Sequence, residues 1–99
     1  MKTAFIVLKS PQEQDPTRTI EGTSPKGDAI AILIEDGVLQ ALTKRSAERL
    51  SRAVSEILIS REDVAAKGFS EKDLAVGKLV DYPEIIECIM EQSERTVTV

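Results

Sequence analysis

Apolar residues come in two rhythms along this chain. Short aliphatic runs stand at 2–8, 29–34, 57–59 and 78–81, separated by stretches in which apolar positions recur every three or four residues. Unbroken runs of Ile, Leu, Val and Ala bounded by turn residues read as strands covered on both sides. The first ends at Ser10-Pro11, and Gly27-Asp28 opens the second, 29–34. The third, 57–59, is very short, and the fourth spans 78–81. The tail at 96–99, Thr-Val-Thr-Val, alternates as an added edge strand would.

Helical spacing fills the gaps. Over 43–56, Leu42, Ala47, Leu50, Val54 and Ile57 mark one side, and Lys44, Arg45, Glu48, Arg49 and Arg52 the other. Ser60 can cap a helix with Asp63 three residues on, and Lys67-Gly68 is a usual stop. Ser70 with Asp73 repeats the capping pattern for a single turn. Pro83 suits a first turn, and 84–92 continues as a helix that turns Ile85, Ile86, Ile89 and Met90 inward. The segment 11–28 holds prolines 11, 16 and 25 and no sustained period. It is expected to form at most a short helix at 15–21, then loop.

Strands alternating with helices predict an α/β fold: a small three-layer domain with a mainly parallel sheet of four to five strands and helices on both faces. Ninety-nine residues imply one domain, 1–99. In such sheets the functional rim lies beyond the carboxyl ends of the strands. Here that rim comprises Ser10, Glu35-Asp36-Gly37, Ser60 and Asp81-Tyr82.

Composition then removes whole classes of chemistry. The chain has no histidine, which excludes His-based triads, His general bases and the commonest zinc sites. The five glycines are isolated, so no phosphate-cradling loop is present. No metal or cofactor is expected. A net charge of −4 and three aromatic residues argue against direct nucleic-acid binding. Neither a secretory signal nor an apolar run of about 20 residues is visible, and a lone cysteine makes no internal disulfide. A soluble, cytoplasmic protein is the expectation.

Cys88 is the one candidate nucleophile. It sits in the second half of its helix, with Glu84, Glu87 and Glu91 nearby. That negative setting disfavours a thiolate, so the expectation is a structural cysteine, with a persulfide carrier as the alternative. Adjacent carboxylates on a strand point to opposite faces, so Glu35 and Asp36 do not form an acid/base pair. Asp36-Gly37 reads as a turn, with Asp36 accepting loop N–H groups and Gly37 supplying positive φ, or else as a contact at the rim. Asp81-Tyr82 is open between a residue capping the sheet edge and one in an interface. The basic residues of 43–56 read as a solvated helix face.

Three motifs in register carry a resemblance. Glu35-Asp36-Gly37 closes a strand, Asp63-Val64-Ala65-Ala66-Lys67-Gly68-Phe69 follows a later one, and Asp81-Tyr82 with Ile85-Ile86 follows another. With the opening Leu-Lys-Ser-Pro at 8–11, these resemble the TusB/DsrH family of DsrE-like sulfur-relay subunits over nearly the full chain. The proline-rich 11–27 and the Thr-Val-Thr-Val ending depart from the family's regular helix and aromatic terminus. The resemblance implies a DsrE-like fold and an accessory subunit rather than an enzyme in its own right. Its partners would be DsrE-like (TusD) and DsrF-like (TusC) subunits. A partner's cysteine would carry persulfide toward tRNA thiolation or through sulfur oxidation. Such a subunit should expose aliphatic area near the rim or on the last helix. A self-associating domain with an unrelated role is the remaining alternative.

Overall fold

The computed structural model describes residues 2–99. Five parallel strands, β1 (Thr3–Val7), β2 (Ala29–Leu33), β3 (Glu56–Ser60), β4 (Lys78–Val80) and β5 (Arg95–Thr98), form one sheet in the order β4-β3-β2-β1-β5. The mainly parallel sheet expected from the sequence is thus wholly parallel, and the edge strand expected at 96–99 forms at Arg95–Thr98, beside β1.

Parallel register aligns side chains in rows. Phe5, Ala31 and Ile57 stand in one row, and Val7, Leu33, Ile59 and Leu79 in the next, all facing one side. Five elements cover this first face: α1 (Thr17–Thr23) through Ile20, α2 (Leu39–Leu42) through Ala41, α3 (Lys44–Ala53) through Leu50 and Ala53, α4 (Arg61–Ala66) through Val64, and the Glu35–Val38 turn through Val38. The opposite parity, Ala4, Ile30, Ile32, Leu58 and Val80, meets only α5 (Tyr82–Glu87) and its continuation Cys88–Gln92, through Ile85 and Cys88. Helices lie on both faces, but unequally.

That single helix crosses the second face diagonally. It starts at Asp81, at the carboxyl end of β4 on one edge, and finishes where the Glu94 N–H donates to the Lys2 carbonyl beside the opposite end of β1. Two corners of the face are left thinly covered. At one, Thr96 and Thr98 of β5 are exposed and Ile6 and Ile34 only half-buried; at the other, Glu56 and Lys78 are exposed.

Several boundaries differ from those the sequence suggests. The helix expected over 43–56 ends at Ala53, and β3 begins at Glu56, because parallel pairing with β2 extends to Ile30↔Glu56. The short helix expected at 15–21 lies at Thr17–Thr23, while α2 has no counterpart in the sequence reading. Four residues cannot display a helical period; tertiary hydrogen bonds hold this turn, with the buried Gln40 amide donating to the carbonyls of Lys9 and Gln14 at 3.1 Å each. The last helix widens into a π turn at Cys88–Gln92, closed by Ser93 N–H to the Cys88 carbonyl at 3.1 Å. Its inward set is also narrower than expected. Ile85 and Cys88 are buried and Ile89 half-buried, but Ile86 and Met90 face solvent at 58% and 74% exposure. One helix against one sheet face covers only a stripe, and five apolar positions exceed it.

Candidate functional site

The carboxyl rim is assembled around Asp63. Ser60 ends β3 and caps α4, its Oγ accepting the Asp63 N–H at 3.2 Å. Sequence reading expected the Asp63 carboxylate to complete a reciprocal capping box. Instead Oδ2 accepts the Glu35 N–H at 3.0 Å and the Tyr82 O–H at 2.6 Å. One carboxylate therefore joins the turn after β2, the first turn of α4 and the start of α5. Burial opposes ionisation of Asp63, but the hydrogen bonds from Tyr82, the Glu35 N–H and Ser60, with the charge of Lys67, outweigh it and hold the carboxyl below its ordinary 3.8. The same bond raises the Tyr82 phenol above its ordinary value.

Glu35-Asp36-Gly37 forms this turn by means the sequence does not display. The residues lie in a 3-10 turn, Glu35–Val38, rather than on the strand. The positive φ expected at Gly37 belongs to Glu35, at 52°. Gly37 is needed for closeness: a Cβ there would stand 1.9 Å from the Val7 carbonyl oxygen, so the turn rests directly on the end of β1. The Asp36 carboxylate takes the Lys67 ammonium in place of loop N–H groups, and this bond raises the Lys67 pKa. Strand alternation therefore does not govern these two residues, and what the structure shows of their carboxylates is the pairing of Asp36 with Lys67.

Asp81 and Tyr82 divide the remaining work. The Asp81 carboxylate caps α5, Oδ1 accepting the Glu84 N–H at 3.1 Å. Tyr82 keeps 37% of its surface exposed while its hydroxyl is spent on Asp63. At the far side of the rim, Ser10 closes the turn after β1, its N–H and Oγ donating to Glu13 Oε1 at 3.3 and 3.1 Å. Asp36, Gly37, Asp81 and Tyr82 thus share one rim, but each is occupied in holding it. Asp63 is the member that sequence reasoning missed. The available signal was its place at the third helical position after a rim strand, one turn from the neighbouring strand's end.

Cys88 lies well away, in the second-face layer at 1% exposure, beside Leu58 and Val80. Burial raises its thiol pKa, and the charge of Glu56 on β3 adds to this. The sequence had assigned that repulsion to acids on the cysteine's own helix; the group responsible stands across the layer. A polar cavity of about 150 Å³ opens at the amino-end corner beside Cys88, with Glu56, Glu84, Glu87 and Lys78 among the described residues that line it. Among the described residues no cluster of His, Cys, Asp or Glu could hold a metal ion. The basic helix face is partly engaged, since Arg49 Nε stands 3.4 Å from Asp15 Oδ2 and ties α3 to the loop before α1.

A wholly parallel sheet whose rim is closed by turn-holding carboxylates, with its one thiol buried, defines a small α/β protein. The chain belongs to the DsrH-like protein family, which matches residues 9–95 and links it to the subunits of sulfur-relay complexes. Five chains of solved structures match it. Among them is the solution NMR structure of protein Tm0979 from Thermotoga maritima, 25% identical over 87% of this chain and 90% of that one, with a TM-score of 0.63. No curated protein sequence matches. Among the described residues no helix is long and apolar enough to cross a membrane.

Proposed function

We propose that this chain is a non-catalytic subunit of a TusBCD/DsrEFH-like complex. It supports persulfide transfer by a cysteine of a DsrE-like (TusD) or DsrF-like (TusC) partner, toward tRNA 2-thiouridine synthesis or in sulfur oxidation. The observation that carries this reading is the setting of Cys88, the chain's one cysteine: buried, its pKa raised, and flanked by carboxylates. A persulfide carrier needs the opposite, an accessible thiolate with cations nearby. The rim supports the same reading, because its carboxylates are spent on structure.

The experiment is sulfur loading by a cysteine desulfurase and free cysteine, with intact mass read on each subunit, in the presence and absence of the DsrE-like partner. The expected result is sulfur on the partner and none on this chain. A sulfur adduct on this chain that Cys88→Ser abolishes would make Cys88 a carrier and overturn the reading.

A further inference from the structure

Three of the four large hydrophobic side chains exposed among the described residues lie on one helix: Tyr82, Ile86 and Met90, at 37%, 58% and 74%. They stand four residues apart along α5 and its π continuation, a spacing that places side chains on one face. Half-buried Ile89 of the same helix and half-buried Ile34 pack against the second-face core. An apolar area of this kind on an otherwise polar surface marks a contact.

Charge decides what covers it. From Asp81 to Glu94 the chain carries five carboxylates, at 81, 84, 87, 91 and 94, and no lysine or arginine. Glu87 and Glu91 are exposed on the same helix and its continuation, Glu87 also lining the cavity beside Cys88. Two copies meeting by this helix would supply no lysine or arginine from residues 81–94 of either copy to the other's acidic residues. The chain's own basic face, Lys44, Arg45 and Arg52 on α3, exposes no large apolar side chain to fill the other half of the contact.

We infer that the Tyr82-Ile86-Met90 stripe with its acidic border is the docking face for a different protein, one presenting an apolar surface rimmed by lysine or arginine. The inference rests on the relay-subunit reading and adds to it which face meets the partner and with what chemistry. Apolar contact supplies the adhesion, and the acidic border supplies orientation and a salt-sensitive association rate. The rim stands next to this face, since Tyr82 belongs to both.

The test uses the full chain co-expressed with the DsrE-like and DsrF-like subunits of its own source. Wild type is compared with Ile86→Glu and with Glu87→Lys/Glu91→Lys; all three positions are exposed, and unchanged melting confirms folding. The expected result is a complex whose dissociation constant rises at least about tenfold in either variant, with a salt dependence that the charge reversal removes. A complex that both variants leave unchanged overturns the docking inference and leaves the relay reading standing. Absence of any complex overturns the relay reading together with this inference. A chain that dimerises alone, in a form that Ile86→Glu dissolves, overturns the inference in favour of a second copy.

Discussion

On its first face the sheet lies under α1, α2, α3 and α4; on its second it lies under α5 alone. The same strands serve both, and in β2 every residue from Ala29 to Leu33 is buried. The difference is in what the covering layer can close. Several short helices tile the first face, and half-buried Val97 of β5 and Val99 just after it pack against that core. One diagonal helix on the second face leaves corners open and holds apolar residues outside its own contact stripe. Closed and open faces built on one sheet separate two roles, stability on one side and association on the other.

The largest expected effect attacks the closed construction where it meets the rim. Gly37→Ala places a Cβ against the Val7 carbonyl and should cost on the order of 4 kcal/mol in denaturant unfolding, because backbone cannot move aside cheaply. Next is the core itself: Leu50→Ala on the first face should cost about 3 kcal/mol. The sharpest form of the comparison is within α5. Ile85→Ala should cost about 2 kcal/mol, while Ile86→Ala, one residue on, should stay within about 0.5 kcal/mol. Equal losses at 85 and 86 would mean that the second face is as closed as the first.

Between these lies the rim network. Asp63→Asn should cost about 1 kcal/mol at neutral pH, since the site is partly exposed to solvent. The loss has a pH signature. The folded Asp63 carboxyl lies below its ordinary 3.8, so its contribution is complete above that value and fades as pH falls through the lower, folded value. The difference in melting temperature between wild type and Asp63→Asn should therefore close on acidification. A difference that persists unchanged in acid would show that the asparagine fails for reasons of shape.

The strands were legible because buried parallel strands write themselves as unbroken aliphatic runs, and Ala29 to Leu33 is the clearest. The capping of α4 by Ser60 and of α5 by Asp81 is local chemistry, and the first was read correctly from spacing alone. What escaped depends on partners distant in sequence. α2 is held by carbonyls at Lys9 and Gln14, Gly37 by the end of β1, and Asp63 by groups 28 and 19 residues away. The apolar side chains of 84–92 were all assigned inward because periodicity counts hydrophobic residues, not the area available to cover them. Ile86 and Met90, left over by that count, are the residues that now carry the association argument.

A non-catalytic role depends most directly on the inaccessibility of Cys88. The measurement is its alkylation rate in the folded protein at neutral pH, set against the rate in denaturant. Protection until the chain unfolds, with labelling that tracks global opening, is the predicted result for a thiol at 1% exposure with a raised pKa. Rapid labelling of the native protein at the rate of a free, ionised thiol would contradict it and return Cys88 to the chemistry.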